Sequence, residues 1–371
     1  MAQFNLDKFS QFIIHPDSVE SDIAKNIYNL VPSSKILISE KAPVDSPKGM
    51  LSPEDFAQSK RIVFVKKHSG QFFKRCPGAG PGLTCCNYFV LNLGLQCDMN
   101  CSYCYLQSFI NTPTMEIYSN IDDALIELSQ LWSKDQPLRL GTGEVIDSLS
   151  MDPLTLYSRK LINYFKDKPK WLLEFKSKTN FVDQFIDEDH SGNVVVSWSI
   201  NPQEIVSSEE HGTASLEQRL MAARKCKDRG FKISFHIDPM IYFDGWQTAY
   251  KDLVAQISKQ FEPTDIPYIS VGALRFQKEQ KAMMRKRFGF KSYVVNSEMF
   301  VGSDGKLRYD QNLRQEMFNF ILNEFKDSGK KWNVFLCMEN HETWLSTFGT
   351  TPKSVDGLTP LFEGRRSFTT N

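Results

Sequence analysis

Three cysteines, Cys97, Cys101 and Cys104, lie in one run, Gln96-Cys97-Asp98-Met99-Asn100-Cys101-Ser102-Tyr103-Cys104-Tyr105. The spacing, C-x3-C-x2-C, brings three thiolates together rather than four. Closely spaced cysteine runs hold iron–sulfur clusters, whereas structural zinc takes four protein ligands. A four-iron cluster on three protein ligands keeps one iron open, where a cofactor can bind and react. A second group, Cys76, Cys85 and Cys86, precedes the run. It reads as an auxiliary metal site, as a thiol able to give up a hydrogen atom, or as small buried apolar side chains. Cys226 in a helix and Cys337 in a late strand are expected in the core.

The elements that must position this run alternate. Apolar runs at 88–95, 138–141, 171–176, 194–200, 232–237 and 268–273 read as buried strands. Helical patterns at 122–133, 152–165, 215–229, 245–260 and 277–287 lie between them. Short apolar strands alternating with helices predict a parallel sheet of βα units, curled by right-handed crossovers. Six units predict an α/β fold, a partial (β/α)6 TIM-like barrel. An open doubly wound sheet is the alternative. In either, chemistry sits at the C-terminal ends of the strands, and the loop 96–106 falls just after the first.

The domain reading is a small N-terminal α/β appendage at 1–75, the barrel at 76–290 and a C-terminal hairpin and helix extension at 291–371. In the appendage a helical stretch precedes Pro32, with strands expected at 36–38 and 62–65. In the extension, extended runs at 293–301 and 306–309 flank Ser303-Asp304-Gly305, an Asp-Gly hairpin signal. A helix at 312–325, a strand at 332–337 and a frayed polar tail at 363–371 complete it.

The chain has 371 residues, 41% of them hydrophobic, and a formal net charge of +0. It is long enough for a large core, and its charge balance gives no global claim on nucleic acid. The segment 1–8 lacks the apolar stretch of a signal peptide. No run of about 18 apolar residues occurs, so no membrane span is expected. Eight cysteines without an export signal suggest a reducing, cytoplasmic setting, in which clustered cysteines are metal ligands.

The cysteine spacing, with Tyr103 before the last cysteine, resembles the radical S-adenosylmethionine (radical SAM) superfamily. That resemblance implies a [4Fe–4S] cluster on Cys97, Cys101 and Cys104, with SAM on the fourth iron. One electron, from a donor such as ferredoxin or flavodoxin, splits SAM to methionine and a 5′-deoxyadenosyl radical. The segment Gly141-Thr142-Gly143-Glu144 resembles the superfamily's Gly-Gly-Glu segment, which implies that Thr142, Gly143 and Glu144 meet the SAM amino group.

A closer resemblance rests on Cys104-Tyr105-Leu106-Gln107, Phe175-Lys176-Ser177-Lys178 with Val182-Asp183, and Trp198-Ser199-Ile200-Asn201. The segment 230–239, Gly245-Trp246 and Arg275-Phe276 support it. Over roughly residues 85–290 these look like spore photoproduct lyase and its relatives, which split a methylene-bridged thymine dimer in DNA. By that resemblance Lys178, Ser199 and Asn201 contact SAM, and Tyr103 and Tyr105 match the tyrosines beside the third cysteine. Tyr105 falls where the lyase tyrosine helps return a hydrogen atom to the product radical.

The sequence departs from that pattern at one point. The lyase carries its hydrogen-donor cysteine in the loop after strand two, where ungapped alignment puts Glu144, with Asp147 and Asp152-Pro153-Leu154-Thr155 in register. No cysteine occurs between Cys104 and Cys226. Another thiol substitutes, the hydrogen has another source, or the reaction differs.

On the substrate side, His236 and Asp238 end strand five and either meet the substrate or satisfy each other. Lys278, Lys281, Arg285, Lys286, Arg287 and Lys291, with Arg275, Arg308 and the hairpin, read as a phosphate-facing rim or a solvated helix face. DNA or another nucleic acid is the first substrate class. A radical SAM enzyme acting on a peptide or small metabolite is the alternative. A non-catalytic iron–sulfur or zinc protein, with a fourth ligand from Cys76, Cys85 or Cys86, is the third reading.

Overall fold

The computed structural model describes residues 4–43, 49–78, 82–84 and 86–351. Cys85 and the tail expected at 363–371 lie outside the described residues. The chain divides into two compact units. The first comprises the described residues up to Lys74, Phe89–Asn100 and Cys104–Val194. The second comprises Arg75–Tyr88, Cys101–Tyr103 and the described residues from Val195 on.

In the first unit the barrel strands run in the order Trp171–Ser177, Leu138–Gly141, Phe89–Leu91. They are parallel, with Leu173 opposite Leu140 and Val90 opposite Gly141. A separate five-stranded sheet has the order Ile36–Ile38, Gln11–Ile14, Ile62–Lys66, Met115–Tyr118, Gly94–Leu95. Its first four strands are parallel and the last antiparallel. The strand expected at 88–95 is therefore two strands in two sheets. The chain crosses at Asn92 and Leu93, where Asn92 N–H donates to Phe72 O at 2.8 Å and Tyr118 N–H to Leu93 O at 3.1 Å. Gly94 permits the crossing, because a Cβ there would lie 2.6 Å from Glu116 O. The strands at 11–14 and 115–118 were not legible as such in the sequence.

In the second unit the order is Val334–Leu336, Ile269–Ala273, Lys232–Met240, Val194–Ser199, all parallel. Val195, Val196, Trp198, Ile233, Phe235, Ile237, Ile269 and Val271 are fully buried. Strands covered on both faces read as continuous apolar runs rather than alternating ones, which is why these were visible in sequence. Val334–Leu336 adds a further parallel strand from within the region read as the C-terminal extension.

The helices follow the apolar periodicity, with local breaks. The stretch 152–165 is two helices, Asp152–Thr155 and Tyr157–Phe165, because Leu156 takes the left-handed conformation at φ 51°. Asp152 bridges the break, accepting from Ser158 N–H at 2.9 Å and Ser158 O–H at 2.5 Å. Leu216–Asp228 starts at a capping box of Ser215 and Gln218. The hairpin is present, with Phe300 opposite Arg308 and Val301 opposite Leu307, and Gly305 supplies φ 77° at its turn. Arg275–Phe276 pairs with Leu307–Arg308 as a third strand. The run at 293–301 is not extended throughout. Tyr293–Asn296 is a helical turn, with Val294 and Val295 buried and the Tyr293 N–H held by the Glu209 carboxylate at 2.7 Å.

Candidate active site

The cluster loop is held from several sides. In the first unit, the buried Lys60 reaches under its start. Its ammonium donates to Cys97 O at 2.6 Å, Met99 O at 2.7 Å and Gln96 Oε1 at 3.3 Å. Gln96 turns the chain with φ 78°, and its N–H donates to Val145 O at 2.9 Å. Asp98 is paired with Lys8. Cys97 and Cys104 pack against a buried apolar group of Leu51, Phe56, Leu106, Ile110 and Val145. Burial, and then Asp98, push the Cys97 thiol well above its ordinary value. A thiol in such a place stays protonated until a cation draws off its proton, as a coordinating metal does outright.

The loop after strand Leu138–Gly141 carries Thr142, Gly143 and Glu144. Thr142 O–H donates to Ser148 Oγ at 2.9 Å. Gly143 has no room for a side chain, since a Cβ would sit 2.8 Å from Ser148 Oγ and 2.9 Å from Lys176 O. The Glu144 carboxylate pairs with Lys74 at 2.9 Å, and its carbonyl accepts from the Tyr105 hydroxyl at 2.6 Å. Tyr105 itself is 41% exposed. Asp147 fastens the end of the next strand, accepting from Ser177 O–H at 2.8 Å and Lys178 N–H at 2.9 Å. Thr142, Gly143, Glu144, Tyr105 and Lys178 are thus brought to neighbouring loops of one unit.

In the second unit, Ser199 and Asn201 are buried at the end of strand Val194–Ser199. The Asn201 amide donates to Glu210 Oε1 at 3.0 Å, and its oxygen accepts from the Tyr250 hydroxyl at 2.9 Å. Tyr103 also donates its hydroxyl to Glu210. Burial, and then the Glu210 charge, push the Tyr103 phenol well above its ordinary value. Glu210 forms a fully buried pair with Arg219 at 2.7 Å, and Arg219 donates to Ser199 O at 2.8 Å. Sequence reasoning missed Glu209, Glu210, Arg219 and Lys60. Lys60 meets Cys97 across 37 residues and Glu210 meets Tyr103 across 107, so no local signal marks those contacts.

Asp238 is gripped by Arg275 through both oxygens, at 2.8 and 3.1 Å. Burial opposes the Arg275 charge, but Asp238 outweighs it and holds the guanidinium above its ordinary value. His236 is buried with its ring edge-on to Tyr268 at 6.3 Å. Arg308 is not on an exposed rim. It is 4% exposed and paired with Asp304 at 2.7 Å and Glu339 at 3.3 Å. Of that basic run Lys278, Arg285, Lys286 and Lys291 are exposed, and Arg285 lies over the exposed Phe290 ring at 5.1 Å. Lys281 donates to Ser297 O at 3.1 Å, and Arg287 lies over the Phe288 ring at 4.8 Å.

The model of the spore photoproduct lyase family matches residues 13–325. The chain belongs to the spore photoproduct lyase family. Among its relatives, the spore photoproduct lyase of Geobacillus sp. (strain Y412MC61) is 24% identical over 282 residues, covering 74% of this chain and 80% of the relative. That of Clostridium acetobutylicum is 23% identical over 326 residues, covering 85% and 94%. A solved spore photoproduct lyase variant with bound AdoMet and dinucleoside spore photoproduct superposes with a TM-score of 0.76 at 22% identity, covering 88% of this chain and 98% of its own. That likeness confirms the fold as the partial TIM-like barrel of radical SAM type.

As a member of the spore photoproduct lyase family the protein is a radical SAM enzyme of lyase type, with a [4Fe–4S] cluster and SAM as its cofactors. The residues present fit them. Cys97, Cys101 and Cys104 offer thiol side chains, soft donors of the kind that select iron–sulfur clusters. Among the described residues no group of three or more His, Cys, Asp or Glu is set to hold a single metal ion. The three thiolates of a four-iron cluster bind three separate irons. Among the described residues no helix is long and apolar enough to cross a membrane.

Proposed function

We propose that this protein cleaves a thymine-dimer lesion in DNA by hydrogen-atom abstraction and return. The hydrogen returns without a thiol in the loop after Leu138–Gly141. The observation that carries this reading is the 2.6 Å bond from the Tyr105 hydroxyl to Glu144 O. It puts the tyrosine that follows the third cysteine against the loop from which a spore photoproduct lyase would donate its hydrogen. The dinucleoside spore photoproduct bound in solved relatives supports the substrate class.

When bound, the cluster and SAM supply an electron and a 5′-deoxyadenosyl radical. This chain's residues hold and shield that chemistry. Cys97, Cys101 and Cys104 are the cluster ligands. Thr142, Gly143, Glu144, Lys178, Ser199 and Asn201 receive SAM, with Gly143 letting backbone approach closely and Lys178 offering a compact charge to a carboxylate. Glu144 is already matched by Lys74 at 2.9 Å, so an arriving ammonium competes for that carboxylate. Tyr105 is the group that handles the returning hydrogen atom, and Tyr103, bonded to Glu210, is a positioning residue. His236 and the Asp238–Arg275 pair end the strand and loop facing the substrate. Arg308 orders the hairpin through Asp304 and Glu339. Exposed Lys278, Arg285, Lys286 and Lys291 meet DNA phosphates. A ferredoxin or flavodoxin supplies the electron.

The test is anaerobic. Protein reconstituted with iron and sulfide receives SAM, dithionite and dinucleoside spore photoproduct, and thymidine release and 5′-deoxyadenosine are quantified. Release of thymidine, lost in Cys101→Ala, is expected. Formation of 5′-deoxyadenosine without thymidine release would keep the radical chemistry and overturn the substrate.

A further inference from the structure

Between the second and third cluster cysteines lie only Ser102 and Tyr103, and both are tied to one dipeptide, Glu209-Glu210, at the end of helix Gln203–Glu209. Ser102 N–H donates to Glu209 O at 2.8 Å, and the Ser102 hydroxyl donates to the Glu209 carboxylate. The Glu209 carboxylate also takes the Ser292 hydroxyl at 2.8 Å and Tyr293 N–H at 2.7 Å. Next to it, Glu210 Oε1 accepts from the Tyr103 hydroxyl and, at 3.0 Å, from the Asn201 amide. Its other oxygen is 2.7 Å from Arg219. The Tyr103 carbonyl is taken in turn by Gln280 at 3.1 Å. Glu209 is wholly buried and Glu210 is 2% exposed.

Burying a carboxylate is expensive unless it is paired and hydrogen-bonded. Glu210 meets that condition through its pair with Arg219 and through groups that belong to two different parts of the machinery. Tyr103 belongs to the cluster loop. Asn201 and, through Arg219 and the Ser199 carbonyl, Ser199 belong to the strand end assigned to SAM. A shorter, neutral acceptor would satisfy either side alone. One charged oxygen shared by both fixes their spacing.

We propose that Glu210 is the positioning residue that couples the cluster loop to the SAM-binding strand end, setting SAM affinity through Tyr103 and Asn201. This rests on the assignment of Asn201 and Ser199 to SAM under the proposed function. Glu210 touches neither cofactor and acts through its hydrogen bonds. Glu210→Gln keeps the shape but turns one oxygen into a donor that faces the Arg219 guanidinium, so the network must rearrange. Tyr103→Phe removes a single hydroxyl and leaves the Glu210, Asn201 and Arg219 contacts in place.

The experiment uses reconstituted full-length protein. Iron and sulfide are counted, and SAM affinity is read from the SAM-dependent change in the electron paramagnetic resonance spectrum of the reduced cluster. Loss of a charge-assisted hydrogen bond is worth about a tenfold change or more. Both variants are expected to load iron as the parent does while binding SAM about tenfold more weakly. The double variant is expected to be no worse than the weaker single one, because the two act through one contact. If Glu210→Gln fails to fold, Tyr103→Phe alone decides. Parental SAM affinity in a fully loaded Tyr103→Phe protein, or additive losses in the double variant, would overturn the coupling. A parent whose spectrum does not respond to SAM would instead overturn the assignment of SAM to this site.

Discussion

The hydroxyl of Tyr105 donates to the backbone carbonyl of Glu144 at 2.6 Å, so the residue after the third cysteine is anchored to the loop that follows strand Leu138–Gly141. The contact uses backbone on the Glu144 side and therefore survives a change of that side chain. A chain with glutamate at this position can keep the tyrosine in place although it has no thiol there.

Tyr105→Phe tests that anchor. An exposed neutral hydrogen bond contributes about 1 kcal/mol or less, so the thermal midpoint should fall by no more than a few degrees. The ratio of repaired product to SAM consumed should fall severalfold, because hydrogen return fails after abstraction. Simultaneous quantification of thymidine and 5′-deoxyadenosine checks it. An unchanged ratio would remove Tyr105 from the return path.

Each of Cys97→Ala, Cys101→Ala and Cys104→Ala should take iron from about four per chain to near zero, since a cluster with one of its three protein ligands gone is not retained. Iron and acid-labile sulfide assays read this directly. Loaded clusters in all three would show that these thiols are not the ligands.

Gly143→Ala places a methyl 2.8 Å from Ser148 Oγ and 2.9 Å from Lys176 O. The second of these neighbours is backbone, so the loop must move. The expected cost is about 1–3 kcal/mol of stability together with weaker SAM binding. Thermal unfolding and SAM titration of the reduced cluster measure the two. Parental values for both would mean that the loop accommodates a side chain.

Burial pushes the Asp152 carboxyl up to about 6 from an ordinary 3.8, against the opposing bonds from Ser158. Because the folded value is raised, folding takes up a proton between these two pH values. The associated stability is full below about pH 3.8 and is lost as pH rises through about 6. Each pKa unit is worth about 1.4 kcal/mol. Asp152→Asn keeps an acceptor for Ser158 N–H without the charge. Its stability relative to the parent should therefore rise by a few kcal/mol as pH goes from about 4 to about 7. Paired unfolding curves across that range test the sign, and a constant difference would refute it.

Charge reversal at exposed Lys286 and Lys291 should weaken DNA binding uniformly across sequences. It should lower the slope of log affinity against log salt by about one for each phosphate that is no longer neutralised. Titrations at several salt concentrations give the slope. A slope identical to that of the parent would place phosphate elsewhere.

The strands 138–141 and 171–176 and the helix from 215 on were legible in the chain because each signal is local. Apolar continuity and periodicity are recorded within a few residues. The break of 88–95 was not, since whether Gly94 stays in one sheet depends on Glu116 O, which a Cβ would meet at 2.6 Å. The same holds for the helical turn at 293–296, whose first N–H is held by Glu209. Residue types likewise told that Arg275, Arg308 and Asp238 are charged, but not that Asp238 closes on Arg275 and that Arg308 lies buried between Asp304 and Glu339. A charge reads as a surface feature until its partner is known.

What the sequence by itself pointed to is the cofactor chemistry, through three closely spaced cysteines, and the βα order that carries them. What only the tertiary structure decided is which groups hold that run. Glu210 meets Tyr103 across 107 residues of sequence, and Lys60 meets Cys97 across 37. A buried charge is tolerated only where its partners converge in space, and convergence over such separations is a property of the fold.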